Sequence, residues 1–188
     1  MTDATLAEAT LADLPLAAPV GPVIDADHAN DRYTDAFVRD ILRDCKTIAM
    51  VGASTNANRP SYFAMKYLQK KGYRVIPVNP RAAGEVLLGE RVVADLDDLP
   101  CPVDMVDIFR NSEAAGKISD QALGMTPRPS VVWMQLGVTN PDAAERAESE
   151  GCKVIMNRCP KIEFARLSGE LGWNGINSRV ISSRKRCL

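Results

Sequence analysis

An α/β fold with a doubly wound parallel sheet is predicted by three observations. Five short apolar runs alternate with helix-patterned segments between residues 46 and 167. The runs are continuously apolar rather than alternating, the mark of strands buried on both faces. The first run, "KTIAMVG", ends in a glycine and leads through a polar loop into a helix start, as in nucleotide-binding units. Together these describe a Rossmann-like sheet in three layers, α/β/α, with ligands expected at the carboxyl ends of the strands.

Element by element, residues 1–34 form an N-terminal extension: apolar patches broken by "LPLAAPVGP", then the polar "DADHANDR", expected as an extended arm. Residues 35–188 are expected as a single domain. In "DAFVRDILRDC", Phe37, Val38, Ile41 and Leu42 share one helical face. "KTIAMVG" is the first long strand. "SYFAMKYLQKKG" is a helix with Phe63/Tyr67 and Ala64/Leu68 at i,i+4, leaving through Gly72. "YRVIPVN" is a strand whose proline cannot donate to a ladder, so it belongs at an edge or a strand end. "AAGEVLLGERVVADLDDLP" is expected to hold one short extra strand, a glycine turn and a helical turn. "VDMVDIF", "SVVWMQLG" and "CKVIMNRC" are the remaining strands, separated by the helices "SEAAGKISDQALGM" and "DAAERAESEG".

Composition excludes several function classes. The 188 residues carry 23 Lys and Arg against 24 Asp and Glu, a net charge of -1 that gives no pull toward nucleic acid. No window approaches the roughly 18 to 20 apolar residues of a membrane span, and a cytoplasmic location is expected. Five cysteines without CxxC spacing indicate neither a disulfide framework nor a zinc site. The lone histidine, His28, lies in a polar segment and is expected as a surface residue. No metal site and no catalytic group is expected.

The chemistry points instead to phosphate. "VGASTNANRPSY" offers Gly52 but lacks the other two glycines of a dinucleotide fingerprint. It supplies Ser54, Thr55 and Ser61 hydroxyls, Asn56 and Asn58 amides, and Arg59, before a Pro60-Ser61 helix start whose free N–H groups favour an anion. The alternative is a polar loop that merely begins a helix. After the second long strand, "PVNPR" puts Asn79 and Arg81 where an NAD site carries a carboxylate. Arg81 suits a phosphorylated ribose, as in NADP or coenzyme A, or else is an exposed turn residue. Arg110 and Asn111 follow the third long strand, and Gln135 and Gly137 follow the fourth. Asp107 lies inside its strand, where a buried carboxylate needs hydrogen bonds, from backbone or from a cleft residue. Trp133 and Met134 read as core. Cys159, between Arg158 and Lys161 near a helix start, reads as small core packing with no histidine to serve it as a base; the alternative is a reactive thiol whose pKa those cations and that start lower.

The stretches "VGAS…NRPSY…YLQKKGYRVIPVNPR", "PVDMVDIFRNSE", "VVWMQLGV" and "VIMNRCPKIEFARL" resemble the small CoA-binding proteins related to the nucleotide-binding domain of the succinyl-CoA synthetase alpha subunit. The resemblance spans about residues 35 to 185. It implies that Gly52, Ala53 and Ser54 hold the pyrophosphate with Arg59 and Ser61. It places Val78, Asn79 and Pro80 beside the adenosine and Arg81 near its ribose phosphate. Phe109 and Arg110 would cover the nucleotide or pantetheine path, and Gly137 and Val138 would close the cleft. Coenzyme A or an acyl-CoA is the implied ligand, held by a module that is regulatory rather than catalytic. The phosphohistidine domain of the synthetases has no counterpart here. An NADP-dependent oxidoreductase is the alternative, although the 30 or so residues after the last strand are short for a substrate domain. A third is an interaction role in which "GWNGIN" and the edge strand "RVISSR" pair with another chain, homo-oligomers included.

Overall fold

The computed structural model describes residues 25–170. The leader residues 1–24 and the segments "GWNGIN" and "RVISSR" lie outside the described residues. At the centre is a five-stranded, all-parallel sheet of β3 (Thr47–Val51), β4 (Arg74–Val78), β7 (Met105–Ile108), β8 (Val131–Met134) and β9 (Lys153–Ile155), in the order β4-β3-β7-β8-β9. One face is covered by α1 (Asp35–Asp44), α2 (Pro60–Lys70) and α5 (Pro160–Leu167). The other carries α3 (Ser112–Gly124) and α4 (Pro141–Ser149). The predicted three-layer architecture is therefore present.

The strands alternate faces with period two. Met105, Val131 and Trp133 pack under α1, α2 and α5, while Val106, Val132 and Met134 pack under α3 and α4. Trp133 and Met134 are both 0% exposed, as core residues should be. On α1 the expected stripe is seen: Val38, Ile41 and Leu42 are buried and Phe37 is partly so. Thr34 caps the helix, its hydroxyl accepting from the Phe37 N–H. The layer of α3 and α4 is made of small residues, Ala115, Gly116, Ser119 and Ala122 against Ala143, Ala144 and Ala147, which lets the two helices approach closely.

Pro77 sits where its missing N–H costs nothing. Its strand, β4, is at the sheet edge, and the Pro77 carbonyl faces outward to accept from the Val93 N–H at 3.0 Å. The nitrogen of the same residue faces that way too, so the ladder to β3 is intact. Two features differ from the sequence expectation. The linker after β4 forms a hairpin of two strands, β5 (Val86–Leu87) and β6 (Glu90–Arg91), rather than one, followed by a 3-10 turn at Leu96–Asp98. Its turn uses Leu88 at φ 49° and Gly89 at φ 88°; leucine rarely adopts a left-handed backbone, so residue preference argues against this turn. Residues 25–34 are not a free arm. They fold into a hairpin of β1 (Ala26–Asp27) and β2 (Arg32–Tyr33) held to the end of β9.

Candidate functional site

The ends of β3 and β7 form the switch point of the sheet, because the chain leaves β3 for α2 on one face and leaves β7 for α3 on the other. Gly52 follows β3 with φ 88°, and its N–H donates to the Val78 carbonyl at 2.9 Å. A Cβ there would stand 2.6 Å from the Phe109 carbonyl oxygen. Glycine is thus required twice, by the left-handed backbone and by the close passage of the Phe109–Arg110 segment.

The polar loop spends most of its donors and acceptors on its own shape. Ser54 N–H donates to the buried Ser61 hydroxyl at 3.1 Å, Asn56 N–H to Ser54 Oγ, and Asn58 N–H to Asn56 Oδ1. Asn79 fastens this loop to the end of β4: its Nδ2 donates to the Ala53 carbonyl at 2.7 Å, and its Oδ1 accepts from the Arg81 N–H at 3.0 Å. What the loop does not consume is positive charge. Arg59, Arg81 and Arg110 are exposed, and none forms an ion pair among the described residues. Arg59 is also the N-cap of α2 and gives it no side-chain cap; Pro60 has no N–H and the Tyr62 N–H donates to the Arg59 carbonyl at 3.1 Å, so in that turn the Ser61 N–H has no partner among the described residues.

Two cavities open at this edge and share Arg110. The smaller, about 250 Å³, lies on the α3 side, walled by Gly52, Val78, Pro80, Ile118 and Lys117. The larger, about 590 Å³, lies between the starts of α2 and α5, with Phe109, Gln135, Val138 and Cys159 in its lining. The predicted residues therefore fall into two groups. Gly52, Val78, Pro80, Phe109, Arg110 and Val138 line a cavity, whereas Ala53, Ser54, Arg59, Asn79, Arg81 and Gly137, with Ser61 in the first turn of α2, build its surroundings. Sequence reasoning missed Phe63, Leu136 and Ile162 as wall residues of the larger cavity. Phe63 reads as the apolar partner of Tyr67, yet is 51% exposed; an apolar residue in the first turn after a proline was the available signal.

Beneath Gln135 lies Asp107, 0% exposed. Its Oδ1 accepts from Gln135 Nε2 at 2.8 Å, a cleft residue rather than the backbone, and burial pushes its carboxyl up to about 7. Cys159 is buried, as a packing residue is. Burial raises its thiol pKa, and the nearby Asp107 charge adds to this; the N–H groups of Ile162 and Lys161 at the α5 start oppose the shift without reversing it. Arg158 does not activate it, because its guanidinium pairs with Asp31 at 2.7 Å. His28 hydrogen-bonds Tyr33 and Glu148, at 3.0 and 2.8 Å. Among the described residues no cluster of His, Cys, Asp and Glu would hold a metal, and no helix is long and apolar enough to cross a membrane.

Comparison with known proteins agrees with this geometry. The chain is 36% identical over 130 residues to the uncharacterized protein YneT of Bacillus subtilis, covering 69% of this chain and 93% of that protein. A solved Thermus thermophilus structure shares 40% identity with a TM-score of 0.67, covering 71% of this chain and 98% of its own. A hypothetical protein from Pyrococcus horikoshii shares 36% identity at the same TM-score, covering 73% and 94%. The profile of the CoA binding domain matches residues 46–165, the whole stretch from the start of β3 into α5. With its switch point, glycine loop and sheet order inside that stretch, the chain belongs to the CoA binding domain family.

Proposed function

We propose that this chain binds coenzyme A across the switch point of its sheet and serves as a binding or regulatory module rather than an enzyme. The carrying observation is the set of three exposed guanidinium groups, Arg59, Arg81 and Arg110, that form no ion pair among the described residues and stand around the loop that Gly52 closes. Coenzyme A brings a diphosphate and a 3'-phosphate, which is the charge such a set lacks. In this reading the diphosphate lies over Gly52, Ala53 and Ser54, close to Arg59 and the start of α2, whose fastening Ser61 keeps in place. The adenosine lies beside Val78, Asn79 and Pro80, and Arg81 takes the ribose phosphate. Phe109 and Arg110 cover the pantetheine path, and Gly137 and Val138 close its far side. Membership of the CoA binding domain family supports the reading.

NADP also carries a phosphate on its ribose, so a direct comparison is the test. Isothermal titration with coenzyme A, 3'-dephospho-CoA and NADP is expected to show coenzyme A binding most tightly. Loss of the 3'-phosphate should weaken binding roughly 10-fold or more, the worth of a hydrogen bond to a charged group. Absence of coenzyme A binding at millimolar concentration would overturn the reading, and tighter binding of NADP would reassign the site to a dinucleotide. Equal affinity for dephospho-CoA would remove Arg81 from its role.

A further inference from the structure

The larger cavity has a wall that a nucleotide does not explain. Phe63 from the first turn of α2, Leu136 from the loop after β8 and Ile162 from the first turn of α5 all face it, at 51, 57 and 43% exposure. Three elements distant in the chain thus bring exposed apolar side chains to one opening, with Ala64 and Val138 beside them. Exposed apolar groups scattered singly need no explanation, but a set converging on one concave surface marks a ligand.

The floor of this cavity is polar and held in place. Gln135 is 6% exposed, lines the cavity, and is pinned by its 2.8 Å bond to Asp107 Oδ1. Asp107 Oδ2 is buried and has no hydrogen-bond partner among the described residues. By register Asp107 lies between Met50 and Trp133, which belong to the core under α2 and α5, so its carboxyl is on the cavity side of the sheet. Pinning leaves Gln135 one N–H, which a ligand carbonyl can accept. A carboxylate would be repelled by Oε1. Arg110 and Lys161 also line the cavity, but the Phe63, Leu136 and Ile162 wall itself offers no charged partner to a carboxylate lying against it.

We infer that the larger cavity is the acyl subsite of a CoA thioester, taking an uncharged acyl chain of a few carbons with its thioester carbonyl at Gln135. The inference rests on the coenzyme A reading, since Arg110 lines both cavities and joins the phosphate region to the apolar one. The free thiol of coenzyme A would leave Phe63, Leu136 and Ile162 facing water; an acyl chain covers them. Asp107 acts here as a positioning residue, through Gln135.

Equilibrium titration of the full chain with CoA, acetyl-CoA, butyryl-CoA and succinyl-CoA tests this. Affinity is expected to rise from CoA through acetyl-CoA to butyryl-CoA by about 4-fold per covered methylene. Succinyl-CoA should bind no more tightly than CoA. Leu136→Gln and Ile162→Gln should flatten the series while leaving affinity for CoA itself within about 2-fold, because both side chains are exposed and outside the core. Equal affinity for CoA and butyryl-CoA, tightest binding of succinyl-CoA, or a preference that survives both substitutions would each overturn the acyl subsite and leave the coenzyme A reading standing. Failure of all four ligands to bind would overturn both.

Discussion

At the scale of single residues, two positions carry more constraint than their chemistry announces. Gly52 is held by its φ of 88° and by the Phe109 carbonyl, 2.6 Å from where a Cβ would stand. Gly72 has a similar φ, 94°, but open space around it. Gly72→Ala should therefore cost about 1 kcal/mol, the left-handed strain alone. Gly52→Ala should cost roughly 2 kcal/mol or more, because backbone must also move, and should weaken coenzyme A binding. Urea denaturation of both variants measures the difference, and equal losses would show that the Phe109 contact is unimportant. Asp107 is the second position. Its folded pKa of about 7 lies above the model-peptide 3.8, so between these values the folded protein keeps a proton that the unfolded chain has released. Its contribution makes stability fall as pH rises from about 4 to about 7, with the full penalty present above that window. Asp107→Asn, which can still accept from Gln135, removes the titration. Its stability relative to the parent should improve between pH 5 and pH 8 by up to a few kcal/mol. Parallel pH profiles in denaturation would rule this out.

At the scale of elements, the β1–β2 hairpin ties a distant part of the chain to the edge of the cleft. Arg158 donates to the Asp31 carboxylate at 2.7 Å and to its backbone carbonyl at 2.6 Å, and the Tyr33 hydroxyl accepts from the Met156 N–H at 2.8 Å. Asn157, at φ 52°, bridges the two regions: its Nδ2 donates to Asp31 and its Oδ1 accepts from the Gly137 N–H at 2.8 Å. The hairpin thus braces the loop that carries Gly137 and Val138. Truncating Arg158 to alanine should cost about 1 to 2 kcal/mol, since it removes the charge-assisted bonds to the Asp31 carboxylate and carbonyl. Amide exchange across residues 25–34 should quicken while that of β3 and β7 is unchanged. Unaltered protection of the hairpin would show that Arg158 does not hold it.

At the scale of the whole molecule, parallel strand order decides where a ligand can go. Order β4-β3-β7-β8-β9 places the crossover reversal between β3 and β7, and the two cavities flank that point on opposite faces with Arg110 between them. An extended ligand with a charged middle and an apolar end fits such a layout better than a compact one. The edge of β4 is partly covered by the Val78–Val93 bridge, which blunts an otherwise open ladder.

Much of this was legible in the chain. Continuous apolar strands, spaced by helical stripes, determined the layers, because strands apolar on both faces must be covered on both. Gly52, Pro77 and the arginines after β3, β4 and β7 were readable because backbone freedom, a missing donor and formal charge are properties of the residue itself. The β5–β6 turn and the β1–β2 hairpin were not, since two-residue strands have no period and Leu88 contradicts its own preference. Nor was the apolar cavity: Phe63, Leu136 and Ile162 are separated by 73 and 26 positions, and each alone reads as core. The sequence by itself determined the sheet, the carboxyl ends of its strands and the positive charge gathered there. Only the tertiary structure decided which apolar side chains face a cavity and that Asp107 pins Gln135, because both depend on contacts between segments whose separation no local pattern records.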